Sequence, residues 1–170
     1  KKNFDKNFDK DGKISLEGKV DENLADIFLN KLQEKTKNKN ISYDTSDFDI
    51  LEFNRLNAKD GAATLSFITA KSILNFAKDL DLKKIIICGG GRLNQAILNN
   101  LKKDRFSISL IDEIKPSQYD SFTPNLNGDF IESQAFAYLA IRSFLKLPIS
   151  FPETTGCINP CTGGIIVKNF

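Results

Sequence analysis

The sequence predicts an α/β fold, and three observations predict it. Two apolar runs rich in β-branched residues, Lys84–Cys88 and Phe106–Ile111, have the length and composition of buried strands. Segments with three- and four-residue apolar periodicity surround them, as amphipathic helices require. The first run ends in Gly89-Gly90-Gly91 and a helical pattern follows at once. That strand–turn–helix order is the unit from which parallel sheets are built.

The elements follow in order. Lys1 to Val20 is polar. Within it, Asn7 to Ile14 looks like the front of a calcium-binding EF-hand loop, but the twelfth position is Gly18 where a bidentate Glu is required, so no calcium is expected. Asp21 is a plausible N-cap for a helix whose inner face is Leu24, Ile27, Phe28 and Leu32. Lys35 to Asp47 is a polar connection, and Phe48 to Leu56 is ambiguous. Asp60-Gly61 opens a stronger helix with Ala62, Leu65, Thr69, Ile73, Phe76 and Leu80 as its expected buried face. Leu93 to Leu101 is a helix with Leu93, Ile97 and Leu101 on one side. Ser117 to Asn127 reads as a loop, Asp129 to Lys146 as a long apolar helix stopped by Pro148 and Pro152, and Gly163 to Val167 as a last strand. Strands apolar throughout imply helices on both faces. Three strands are few for so many helices, since sheets usually hold about four to six, so something is missing that would sit against these strands.

Composition narrows the partners. The 170 residues suit one domain, and 41% hydrophobic with 27% charged residues is ordinary globular composition. A net charge of +2 argues against nucleic acid as the main partner. No apolar run reaches the roughly 18 residues of a membrane span, and no secretory signal opens the chain. Three cysteines, Cys88, Cys157 and Cys161, with no histidine, suit reduced thiols in a cytoplasmic protein and give no four-ligand zinc set. The chain starts at Lys1 and contains no Met, as expected of a processed chain or a piece of a longer protein.

Two constellations could carry chemistry. Glycines before a helix N-terminus let backbone N–H groups approach a phosphate or nucleotide closely; the same residues also make plain turns. Gly89 and Gly91 begin a dinucleotide fingerprint and Asp112 ends the next strand, but Asn94 stands where the third glycine belongs. A Rossmann-like binding module or oxidoreductase is therefore the alternative reading. Asn94 is either a helix cap or a ligand contact. Glu132 shares a helical stripe with Phe136 and Leu139. It is either a carboxylate with a task on an apolar face or the capping partner of Asp129. Arg142 lies on another side, solvated or paired at the surface. Thr154-Thr155-Gly156 and Thr162-Gly163-Gly164 read as turns.

These residues also resemble a known family. Cys88-Gly89-Gly90-Gly91-Arg92-Leu93-Asn94 resembles the Cys-Gly-Gly-Gly-x-x-Asn motif of the anhydro-N-acetylmuramic acid kinases. The stretch from Asp129 to Ala140 resembles that family's Glu-Ala-x-x-Phe-Ala-x-Leu-Ala helix, with Gln134 a departure. Leu147-Pro148, Thr154-Thr155-Gly156 and Gly163-Gly164 are similar to its tail, and Phe8 to Gly12 with Gly18-Lys19-Val20 to a further segment. Ser117 to Asn127 looks like an insertion. The resemblance implies a ribonuclease-H-like fold of the actin, sugar-kinase and Hsp70 superfamily, incomplete at its N-terminal side, with residues 1–170 as the C-terminal domain. It implies ATP and magnesium as cofactors, and phosphorylation of 1,6-anhydro-N-acetylmuramic acid with opening of the anhydro ring by water, in cytoplasmic peptidoglycan recycling. It places Gly89, Gly90, Gly91 and Asn94 at the nucleotide and Glu132 at the sugar. The family's catalytic aspartate and its two phosphate loops lie in an N-terminal half that this chain lacks. An N-terminal partner or a homo-oligomer is then expected, and no kinase activity from the chain alone. A non-catalytic remnant or interaction protein is the other alternative.

Overall fold

The computed structural model describes residues 7–36, 51–114, 126–165 and 167. The expected connection Lys35–Asp47 and loop Ser117–Asn127 lie largely outside them. Near the start, Asp9 accepts hydrogen bonds from the Ile14 N–H at 2.8 Å, the Ser15 N–H at 3.1 Å and the Ser15 hydroxyl at 2.7 Å. These bonds tie down the short helix α1 (Lys13–Leu16). The stretch that imitates a calcium loop thus spends its first carboxylate on satisfying helix donors. Gly12 has φ 71°, and a Cβ there would lie 2.3 Å from Asn94 Oδ1, so the turn requires glycine.

Helix α2 (Glu22–Thr36) begins as expected, with the Leu24 N–H donating to Asp21 Oδ1 at 2.9 Å. Leu24, Ala25, Phe28 and Leu32 are buried with Phe53 and Ile68, while Ile27 of the expected face is exposed. Phe28 and Phe53 meet edge to face, 5.5 Å between centroids. Phe53 belongs to a 3-10 turn, Leu51–Arg55, in the segment that was ambiguous in sequence.

Helix α3 (Ala58–Asp79) starts before Asp60 because Asn57 caps it, accepting from the Lys59 and Asp60 N–H groups at 3.0 Å each. Its buried face also differs from the expected one. Ala63, Thr64, Ser66, Ile68, Ala70, Leu74 and Ala77 are buried; Leu65, Thr69, Phe76 and Leu80 are exposed, Phe76 at 64%. Small side chains let the neighbouring helices come close, so packing selects that face. The stripe of larger residues points where none of the described residues covers it.

Strands β1 (Lys84–Ile87) and β2 (Ser107–Leu110) pair in parallel, Ile85 with Ile108 and Ile87 with Leu110. Between them run a 3-10 turn, Gly90–Leu93, and helix α4 (Gln95–Leu101). Ile85, Ile87, Ile108 and Leu110 pack on a core of Ala70, Leu74, Ala77, Leu98, Leu101 and Phe106. The opposite face, with Lys84, Ile86 and Ser107, is exposed. Helices on both faces were expected; among the described residues only one is covered. The expected strand Gly163–Val167 does not form in its described part. Gly164, at φ 83°, leaves the extended conformation, and only an isolated antiparallel bridge joins Ser150 to Cys161.

Helix α5 (Ile131–Phe144) buries no residue; Phe136, Tyr138, Ile141 and Phe144 are exposed. Arg142 closes its end, donating to the Pro148 carbonyl at 2.7 Å and the Tyr138 hydroxyl at 3.2 Å, the surface role expected of it. Helix α6 (Pro152–Thr155) opens on proline, which lacks the N–H that the first turn leaves unpaired. No helix among the described residues is long and apolar enough to cross a membrane.

Candidate functional site

Strand β1 delivers the chain into the three glycines. Gly89 has φ 68° and ψ −173°, a combination open essentially to glycine alone. A Cβ built on Gly89, Gly90 or Gly91 would meet nothing within 4 Å, so the loop faces open space. The Arg92 N–H closes the turn on the Gly89 carbonyl at 3.2 Å, and the Asn94 N–H on that of Gly91 at 3.1 Å.

Asn94 Oδ1 accepts from the Ala96 and Ile97 N–H groups at 3.0 and 3.1 Å. The capping alternative is therefore the observed geometry for its oxygen. Two donors in the first turn of α4 are thus spent on its own cap. What Asn94 still has to offer a ligand is its side-chain amide nitrogen.

Arg92 is the centre of the site and only 6% exposed. Its Nε donates to Asp112 at 2.6 Å, and its Nη1 to Asp129 at 2.8 Å and to the Gly89 carbonyl at 3.1 Å. The second Asp112 oxygen accepts from the Gly128 N–H at 2.7 Å. Asp129 and then Asp112 raise the guanidinium pKa. The Gly128 N–H and then Arg92 hold the Asp112 carboxyl below the usual carboxylate range. Backbone must pass close here: a Cβ at Gly128 would sit 2.3 Å from Arg92 Nε.

This network corrects two expectations. Asp112, the acid of the Rossmann-like alternative, has both oxygens engaged by Arg92 and Gly128, so it is not presented to a ribose. Asp129 does not cap the last long helix; the cap position is Phe130, with no side-chain cap bond. Glu132 is exposed in the first turn of α5, one turn beyond Asp129. Arg92 thus joins the glycine loop to the helix that carries Glu132. Sequence reasoning missed it. The available signal was an arginine directly after three glycines, with two acids downstream that lacked a settled role.

The remaining candidates stay apart. Cys88 is exposed beside the loop, whereas Cys157 and Cys161 sit in the tail. Burial and then Cys157 push the Cys161 thiol pKa up. Among the described residues no three His, Cys, Asp or Glu groups converge to hold a metal ion. Gly156 ends α6 at φ 68°, and the Ser150 and Thr155 hydroxyls bond to each other, so the Thr-Thr-Gly stretch makes a turn.

Acid sensitivity follows from the depressed carboxyls. Asp112, and Asp104 paired with Lys78, have folded-state pKa values lowered from the ordinary one. Their stabilisation is fully present above the unfolded value of about 4 and is lost as pH falls through the folded values. Circular dichroism from pH 6 to pH 2 should show loss of helix on the acid side of about pH 4, shallower in Asp112→Asn. An unchanged acid limb in that variant would contradict the assignment.

Comparison with known proteins bears on this geometry. The family profile of anhydro-N-acetylmuramic acid kinase matches residues 1–169. A protein named anhydro-N-acetylmuramic acid kinase from Pelagibacter ubique is 39% identical over 172 residues, covering 96% of this chain and 43% of its own length. Proteins of the same name from Brucella canis and Caulobacter vibrioides are 36% and 39% identical, with 42% and 41% of their lengths covered. The chain therefore spans less than half the length of these curated relatives. By the extent of these matches, the chain belongs to the anhydro-N-acetylmuramic acid kinase family.

Proposed function

We propose that this chain is the C-terminal part of an ATP-dependent kinase that phosphorylates 1,6-anhydro-N-acetylmuramic acid. Water opens the anhydro ring, and the product is N-acetylmuramic acid 6-phosphate. The observation that carries the reading is the open glycine loop at the end of a parallel strand, fastened through Arg92 to the Glu132 helix. Gly89, Gly90 and Gly91 receive the nucleotide by backbone N–H groups, with the Asn94 amide beside them, and Glu132 faces the sugar. Residues 1–170 form one domain of ribonuclease-H-like type whose remaining strands come from the N-terminal half. That half brings the catalytic aspartate and the other phosphate loops, and it covers the bare sheet face.

ATP fits what is present: the space around the three glycines leaves room for phosphate oxygens. ATP with magnesium supplies the transferable phosphoryl group. The protein ligands of magnesium, which needs only one or two carboxylates beside the phosphates, are assigned to the N-terminal half. The reaction belongs to the cytoplasm, where ATP is available.

One paired experiment tests both site assignments. This chain, mixed with the N-terminal portion of the Pelagibacter relative, is titrated with an ATP analogue and assayed for sugar turnover. Gly90→Val should weaken analogue binding by about tenfold or more, since a side chain there blocks close approach to several N–H donors. Glu132→Gln should leave that affinity unchanged and lower turnover by about a hundredfold, the scale of a lost catalytic or positioning carboxylate. Normal turnover in Glu132→Gln, with only a lower melting temperature, would show a structural role instead.

A further inference from the structure

Arg92 makes more polar contacts than any other side chain of the site. It reaches three separate pieces of chain: the glycine loop through the Gly89 carbonyl, the end of β2 through Asp112, and the start of α5 through Asp129. Asp112 reaches the same place from the other side, accepting from the Gly128 N–H at 2.7 Å. The residues of α5 are all at least partly exposed, so burial does little to hold the helix in place. The placement of α5 relative to the loop therefore depends heavily on this guanidinium. Its rigid fork can serve two carboxylates and a carbonyl at once, which the single ammonium of lysine cannot reproduce.

We propose that Arg92 is a positioning residue that couples the glycine loop to the first turn of α5, so that the two sides of the site shift together. Describing those sides as nucleotide and sugar rests on the kinase reading; the coupling does not. Two carboxylates face one guanidinium, and Asp129 is the more exposed of them, with a side-chain exposure of 64% against 39% for Asp112. Loss of the Asp129 carboxylate leaves the Arg92–Asp112 pair and the Gly128–Asp112 bond in place, so the fold survives while the direct bond from Arg92 to the chain entering α5 is lost. A purely local role for Asp129 predicts that only its own turn loosens. Coupling predicts that the loop 37 residues away in sequence loosens too.

Amide hydrogen exchange on the complete 170-residue chain, read by NMR without any nucleotide, decides between them. The reporters are the Arg92 and Asn94 N–H groups that close the glycine turn and the Gln134 N–H that donates to the Phe130 carbonyl at 2.9 Å in α5. In Asp129→Ala, which removes the acceptor, both sets should exchange about tenfold faster, the change that accompanies loss of one charge-assisted hydrogen bond. Amides of the β1–β2 ladder should stay within about twofold, the scatter left when a hydrogen bond elsewhere is lost. Arg92→Lys should behave the same way despite keeping its charge. If Arg92 and Asn94 keep wild-type exchange in Asp129→Ala while only residues 127–134 accelerate, the coupling is absent. If Arg92→Lys restores wild-type exchange in both places, charge alone suffices and the proposal also falls. No outcome depends on ATP, so a failed kinase reading would show separately in the Gly90→Val titration.

Discussion

With ATP and 1,6-anhydro-N-acetylmuramic acid, the 170-residue chain alone should release no ADP above background. Adding the N-terminal portion of a full-length relative should raise the rate by about a thousandfold or more, the scale on which positioning and phosphate clamping act. Phosphoryl transfer needs groups on both sides of the transferred phosphoryl: one set to hold the nucleotide and another to place the attacking oxygen. This chain provides an open glycine loop and one exposed carboxylate, Glu132, in the neighbouring helix. It has no histidine to serve as a base, and its described residues form no metal cage. An ADP-release assay with the purified chain is the measurement. Turnover by the chain alone, well above a Glu132→Ala control, would overturn the proposal that the catalytic groups lie outside these 170 residues. No turnover even with the added portion would favour the reading of a non-catalytic remnant.

Leu101→Ala should destabilise the chain by about 2–5 kcal/mol, the usual cost of emptying a fully buried leucine site. Leu101 is 0% exposed at the end of α4, where it meets Leu74, Leu98 and Phe106. Domains have only about 5–15 kcal/mol in reserve, and among the described residues the apolar core is divided between two small clusters. The variant should therefore unfold at a much lower urea concentration than wild type. Ile86→Ala is the control: Ile86 is 46% exposed on the bare sheet face, and its loss should move the midpoint little. Equal midpoints for Leu101→Ala and wild type would mean that the α3–α4–sheet cluster is not the core.

Much of the fold was legible in the residues because local chemistry decides it. The two strands fall within the apolar runs Lys84–Cys88 and Phe106–Ile111, and the glycines sit at the strand end where a turn had to be. Asp21 does what an N-cap residue does. Periodicity, however, fixes that a helix has an apolar face, not that anything covers it. In α3 the stripe through Leu65, Phe76 and Leu80 is periodic and exposed, while a face of smaller residues is packed. The final strand was misjudged because Gly164 turns the chain aside. The Arg92 network could not be read from spacing at all. It joins positions 20 and 37 residues apart, and both acids had plausible local duties, a ribose contact for Asp112 and a helix cap for Asp129.

The exposed apolar stripes on α3 and α5 make the stability of this chain a concentration-dependent quantity. Any protein surface that covers Phe76, Phe136 and Phe144 binds the folded chain and not the unfolded one. At a free partner concentration a hundred times its dissociation constant, that linkage adds about 2.7 kcal/mol to the free energy of unfolding. The fraction of chain unfolded and open to proteases would then fall about a hundredfold.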